Sequence, residues 1–423
     1  MRCAPKIKAI VLCSLESDDR TESGIFANGI RMKQSVIAVA LLSVGLFMPG
    51  AAPAQRSAAE QIERLEAAQS PNRQGFDPYS LLELMNQFHV PGVSIAVVRD
   101  FQIQWTKAYG VADVVAGVPV TPDTRFQAAS ISKTVTAFAT LRGVDSGKLS
   151  LDMSVNRYLR SWKVPENEFT RGGITLRALL SHTSGTGDGF GFPGYNPSAS
   201  LPSLTQILDG KPPSNTGPVL WERPPFTAQK YSGGGIIIEQ VVLQDVYRKA
   251  FAALMQDLVL GPVGMTNSTF EQPLPSAQDA TAARAHDEEG KPMDVKWHVY
   301  PEQAAAGLWT TPTDLAKFGI EVQKALRGES KLLSRGTALE MVAPTGTGPF
   351  AVGFMIENRG NGWYFIHSGG NWGFRCDLIM HRLKGYGLVV MTNGDGGGQL
   401  IHEIEARIAD AADWDSLDKP VPR

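Results

Sequence analysis

Ser130 and Lys133 stand three residues apart in Phe126-Gln127-Ala128-Ala129-Ser130-Ile131-Ser132-Lys133-Thr134-Val135. On a helix, positions i and i+3 share a face, so the serine hydroxyl and the lysine amine can meet. A lysine desolvated beside other positive groups gives up its proton near neutral pH, and a neutral lysine can draw the proton from a serine hydroxyl to make a nucleophile. An extended, turn-rich approach gives way here to a helical pattern. The N–H of Ser130 is therefore expected in the first helical turn, where unpaired donors and the positive dipole end favour an oxyanion. Ser-x-x-Lys recurs at Ser416-Leu417-Asp418-Lys419, in a polar tail with Pro420 and Pro422 where nothing builds a pocket. Spacing alone does not choose between the two copies, so the surrounding elements must.

Before Ser130, hydrophobic periodicity predicts a lead-in helix over 58–70, a second helix near Pro78–His89, and two strands, Val93–Arg99 and Gln102–Tyr109, turning at Asp100-Phe101. From about 150 to 335 the patterns are helices and loops: Leu176–Leu180, Ile236–Tyr247, Phe251–Leu260 and Thr313–Leu326, the last with Pro312 in its first turn. Strands return at Phe350–Ile356, Trp363–His367, Arg375–His381 and Gly387–Thr392, before a helix over Gly398–Ala412. The expected fold is α+β: an antiparallel sheet formed by both chain ends and flanked by helices, with an inserted, mostly helical lobe. The sheet lobe is expected over 78–149 and 336–415, the helical lobe over 150–335, and a tail over 416–423. A cleft between the lobes is the default place for a site.

The 423 residues are 43% hydrophobic and 19% charged, with a formal charge of -2. That is ordinary globular composition, and without a basic stripe it gives no reason to expect a nucleic-acid partner. Val36–Met48 is an apolar run too short to span a bilayer, preceded by Arg31 and Lys33 and followed by Ala52-Pro53-Ala54. This three-part plan is that of a secretory signal peptide. Residues 32–54 are read as that signal, 1–31 as an upstream extension before a true start at Met32, and 55–77 as a lead-in. The expected destination is the periplasm or the medium. Only Cys376 of the three cysteines lies in the mature chain, so no internal disulfide is expected. His286 and His298 have no ligand partners at metal-binding spacing, and neither a metal nor another cofactor is called for.

Three further stretches supply context. Leu179-Leu180-Ser181-His182-Thr183-Ser184-Gly185 runs into a glycine loop, Lys230-Tyr231-Ser232-Gly233-Gly234-Gly235 opens a helix, and His367-Ser368-Gly369-Gly370 closes a strand. With Ser130-x-x-Lys133 and the approach Val90-Pro91-Gly92-Val93, they resemble the serine hydrolases of the class C β-lactamase and DD-peptidase family, which also holds esterases and D-amino-acid peptidases. The resemblance runs from about 78 to 410 and takes in Gly307-Leu308-Trp309-Thr310-Thr311-Pro312 and Gly261-Pro262-Val263-Gly264-Met265, which look like packing signatures. It implies an acylated Ser130, Lys133 as base or proton relay, and Tyr231 as the phenol that passes a proton to the leaving group. It makes His367-Ser368-Gly369 a His-x-Gly variant of the family's Lys-Thr-Gly strand, with the N–H of Gly370 as second oxyanion donor. His367 is expected to act by charge or hydrogen bonding, and His182 to tie down its loop.

Where many members read Tyr-x-Asn, this chain reads Tyr231-Ser232-Gly233, and it has Pro224-Pro225 where a glycine would be expected. The missing amide ordinarily helps hold a substrate's acyl-amide group and the lysine. The resemblance therefore implies a hydrolase forming an acyl-enzyme from small esters or D-amino-acid-type acyl compounds. A β-lactamase, a penicillin-binding DD-peptidase, and a non-catalytic acyl-binding envelope protein are the alternatives. The alternative to a lost amide contact is that Gly234 or Gly235 shifts the loop so that another donor, such as Asn371, fills the gap.

Overall fold

The structure is a computed structural model and describes residues 56–69, 75–76, 78–188, 191–359 and 362–414. The proposed signal segment and Ser416 lie outside these residues. Strands Gly92–Arg99, Gln102–Asp113, Val118–Pro119, Met355–Arg359, Gly362–Asn371, Phe374–His381 and Gly387–Thr392 form one seven-stranded sheet. All its pairings are antiparallel, and Gly92–Arg99 lies between its hairpin partner and Gly387–Thr392. The first and last long strands among the described residues thus make the middle of the sheet. This is the expected α+β architecture.

Alternation along the strands sorts the core into two layers. Val93, Ile95, Val97, Leu388 and Val390 point to a layer closed by helices Ala58–Glu66, Leu81–Gln87 and Gly397–Ala411. On that side buried Arg407 pairs with Glu403 and donates to the carbonyls of Leu65, Ala67, Phe76 and Tyr79, joining the two chain ends. Ala96, Val98, Leu378 and Met391 face the larger layer, where the helical residues pack.

Helix Pro312–Arg327 falls in the span expected as the helical lobe, yet it lies on the sheet. Gln323 donates to the carbonyls of His381 and Tyr386, and a Cβ at Gly319 would come within 2.8 Å of Met380. Strand pairing reaches the helical span through a short ribbon, Phe126–Gln127 against Trp309–Thr310, that the sequence did not announce. The expected Phe350–Ile356 strand begins only at Met355, with Phe350 contributing an isolated bridge.

Candidate active site

The ribbon delivers the nucleophile segment. Ala128 donates to Leu308 O at 2.8 Å, and the chain then turns sharply, with Ala129 at φ +48°. An alanine in the left-handed region is strained and persists only where its surroundings hold it. The hold is visible: Ser132 Oγ donates to Ala129 O at 2.5 Å and accepts from Leu308 N at 3.0 Å. Ser130 lies in a 3-10 turn, Ala129–Ile131, ahead of the Ser132–Asp145 helix, and not in the first α-helical turn as expected. The i,i+3 meeting survives this change, because the turn runs directly into the helix that carries Lys133 and residues three apart share a face in both.

Lys133 is buried at 1% exposure, and its Nζ donates to Ser130 Oγ at 2.9 Å and to Ala305 O at 2.7 Å. The second acceptor belongs to the short helix Gln303–Ala306, whose last carbonyls lack intrahelical partners. Ala304 O receives Thr136 Oγ, Ala305 O the lysine, and Ala306 O the amide of Asn371. The three small side chains of Ala304–Ala306 let this backbone come close. They directly precede the Gly307-Leu308-Trp309 stretch, and no local pattern in the sequence marks their carbonyls.

Tyr231 stands over the lysine, its ring centroid 5.1 Å from Nζ. His182 packs on the tyrosine at 4.3 Å between centroids and accepts from Ser232 N at 3.2 Å through Nδ1. That bond places the imidazole proton on Nε2. Burial, then the charge of Lys133, holds His182 well below the ordinary histidine range. It thus orients the Tyr231 segment as well as its own loop, where Lys230 N donates to His182 O at 2.8 Å.

His367 points from the Gly362–Asn371 strand toward the same space, 6.3 Å from the Tyr231 ring. Its Nδ1 lies 2.7 Å from Ser368 O and so carries the proton, while the buried Nε2 has no partner among the described residues. Burial and, second, the charge of Lys133 push its pKa down to about 3, so the ring is a neutral acceptor. Ser368 alternates to the opposite sheet face, where its hydroxyl bonds Asp377; its side chain is not brought to Ser130.

Gly369 lies against the nucleophile turn. A Cβ there would sit 2.3 Å from Ala128 O and 2.6 Å from Cys376 Sγ, and the Cys376 thiol itself donates to Ala128 O at 3.1 Å. The N–H of Gly370 follows from register. The hairpin closes at Asn371 and Phe374 around a two-residue loop, so the Gly370 and Arg375 pair is not mutually hydrogen-bonded and the Gly370 N–H leaves the ladder. The outer strand pairs only as far as Ile366, so this N–H emerges on a free edge beside the Ala129–Ile131 turn.

The glycines after Tyr231 have a steric reason. A Cβ at Gly233 would lie 2.6 and 2.9 Å from ring atoms of Phe192, and one at Gly234 would lie 2.3 Å from Val219. Asp188 anchors this turn, accepting from Ser232 Oγ at 2.8 Å and Gly234 N at 2.7 Å. The ring of Phe192 thus stands where a side chain at 233 would begin. Asn371 does not replace the missing amide, because its donors are spent on Gln127 Oε1 at 2.8 Å and Ala306 O at 3.0 Å. No group of three or more His, Cys, Asp or Glu among the described residues could hold a metal.

Together the sheet, the helical insertion and the half-buried Ser130 set against the buried Lys133 give a fold and a site of the kind serine hydrolases use. The Beta-lactamase family description matches residues 81–413, and the chain belongs to that family. It is 27% identical over 287 residues to a Pseudomonas fluorescens β-lactamase, covering 66% of this chain and 71% of that protein. It is 24% identical over 317 residues to Protein flp of Staphylococcus aureus strain MW2, a match that takes 72% of this chain but spans only 60% of the staphylococcal protein. In fold it is similar to SurE solved with D-Leu, at TM-score 0.65, 24% identity, and coverage of 86% and 78%. It is likewise similar to the D-alanine carboxypeptidase AmpC of Burkholderia cenocepacia, at TM-score 0.63, 22% identity, and coverage of 84% and 100%.

Proposed function

We propose that this chain is an exported hydrolase that cleaves small esters through an acyl-enzyme on Ser130. The observation that carries the reading is the buried Lys133 amine, 2.9 Å from Ser130 Oγ. The lysine, in its neutral form, takes the hydroxyl proton as Oγ attacks the substrate carbonyl. The developing oxyanion lies between the N–H groups of Ser130 and Gly370. Tyr231 relays the proton to the departing alcohol, and water then reverses the path to release the acid.

Two features favour esters over amides and β-lactams. Amide cleavage requires the leaving nitrogen to be protonated while the acyl-amide arm is held, and Phe192 stands where a holding amide at 233 would be. Removing one such polar group costs about 2.7 to 4 kcal/mol where it acts on the transition state. An activated ester, whose alcohol leaves unaided, loses much less. Peptides ending in a free D-amino acid are disfavoured for a second reason. His367 offers a neutral acceptor, Lys133 is spent on Ser130 and Ala305, and the remaining cations of the motif segments are engaged: Lys230 with Gly187 O and Glu222, Arg375 with Asp395. A substrate carboxylate therefore meets no free positive charge on these segments.

The test is fluorophosphonate labelling with mass spectrometry, followed by kcat/KM for a short p-nitrophenyl ester, a D-alanyl peptide and a chromogenic cephalosporin. The adduct is expected on Ser130 and the ester is expected to lead. A label that persists in Ser130→Ala, or a cephalosporin turned over as well as the ester, would sink the reading.

A further inference from the structure

One line of half-buried aromatic side chains is tied to each of the segments that carry the site. Phe192 lies against Gly233, two residues past Tyr231. The next carbonyl, Pro193 O, is 2.9 Å from His298 Nδ1, and the His298 ring is stacked on Trp372 at 4.0 Å with 3° between planes. Trp372 is two residues past Gly370, and its N–H is held by Tyr300 Oη at 3.1 Å. Gln127, three residues before Ser130, donates to His298 O at 2.8 Å. The Phe192 loop is fixed by paired bonds between Tyr195 and Val299, at 2.8 and 2.7 Å. Against Phe192 lies a cavity of about 150 Å³, lined in part by Ile207, Pro218, Val219, Gly234, Thr216 and Asp188.

Such an arrangement is more than core packing. Phe192, His298 and Trp372 are only partly covered, whereas the aromatic core residues Phe126, Phe138 and Trp309 are fully buried. Their tethers run to the proton-relay turn, the oxyanion strand and the nucleophile strand, so the row borders the space in which an acyl group on Ser130 must lie. The side of that space where an amide could have held a polar arm presents a phenyl ring instead. Aromatic faces favour other rings in offset or edge contact, and a cavity of about this volume takes one benzene-sized group.

Resting on the hydrolase reading, we infer that Phe192, His298 and Trp372 form the acyl-recognition wall, and that the preferred substrates are esters of aryl or arylalkyl carboxylic acids. The ring of the acyl group stacks along the wall or enters the cavity as Phe192 turns aside. No new bond is required beyond the acyl-enzyme, and the alcohol portion leaves on the opposite side.

The experiment measures kcat/KM for p-nitrophenyl acetate, hexanoate and phenylacetate, each divided by its hydroxide-catalysed rate. Phenylacetate is expected to lead both others. In Phe192→Leu, which keeps apolar bulk but loses the ring, and in Trp372→Leu, the phenylacetate-to-acetate ratio should fall about fivefold. Turnover of all three esters with that ratio within twofold of wild type in both variants would overturn the wall and leave the hydrolase standing. Hexanoate ahead of phenylacetate would overturn the aryl preference. No turnover and no fluorophosphonate label on Ser130 would overturn the hydrolase reading and this inference with it.

Discussion

Replacing Gly369 by alanine tests whether the strand and the nucleophile turn are held at one fixed separation. The added methyl would lie 2.3 Å from Ala128 O and 2.6 Å from Cys376 Sγ. Ordinary carbon contacts begin near 3.4 Å, so one element must retreat by about 1 Å. The carbonyl cannot swing freely, because it accepts from Ile131 N and from the Cys376 thiol while the next residue is already strained. The displacement therefore falls on the gap between the Ser130 and Gly370 N–H groups. A misplacement of that size, or the loss of one oxyanion donor, costs roughly two to three decades in rate. Overpacking should lower stability by only about 1 to 3 kcal/mol. Stopped-flow acylation by an activated ester, with thermal unfolding of the same samples, separates the two effects. Cys376→Ala in the same background should not restore the rate, since the contact with Ala128 O remains. An acylation rate within fivefold of wild type in folded Gly369→Ala would refute the idea that this contact sets the oxyanion geometry.

Lys133→Arg should be nearly inactive toward esters, because a guanidinium stays protonated and is too large for the niche between Ser130 and Ala305; substantial turnover would remove the lysine as base. Glu239 is fully buried, with Thr140 Oγ donating to one carboxylate oxygen and the other without a partner among the described residues, and burial raises its pKa to about 8. The unfolded carboxyl ionises near its ordinary value of 4.5 while the folded one keeps its proton to about 8, so this group's contribution to stability is lost as pH rises through that window. Glu239→Gln should therefore gain on wild type in denaturant unfolding between pH 5 and pH 8; a difference that stays constant with pH would mean the folded carboxyl is already ionised. Protein recovered after export should begin near Gln55, and N-terminal sequencing that finds residues 1–31 would contradict the signal assignment.

The sheet was legible because short, nearly continuous apolar runs at 93–98 and 388–391, buried on both faces of the sheet, are too short for helices and are bounded by turn residues. The Ser130 and Lys133 contact was legible because residues three apart meet in either helix type. What stayed hidden depended on distant chain. Ala129 has nothing in its side chain to announce a positive φ; the strain comes from Ser132 and Leu308. The Phe126–Gln127 ribbon is too short to show a period, and the carbonyls of Ala304–Ala306 bind through backbone that no residue type advertises. The glycine at 233 was noticed as a missing amide, but its cause, Phe192, comes from a loop separated from it by the whole stretch between.

The joining of first and last strands in mid-sheet has a kinetic consequence for a chain made from its N-terminus. Gly92–Arg99 has its hairpin partner early but waits for Gly387–Thr392 along its other edge, leaving an apolar, unpaired strand edge for most of synthesis. Pairings of such long sequence separation close slowly. The nucleophile and its lysine would exist in the growing chain long before the strand that bears Gly370, so a nascent or truncated product ending before residue 370 has a serine and a base but lacks the second oxyanion donor. Acylating power arrives only with the final strands, in the same event that seals the sheet.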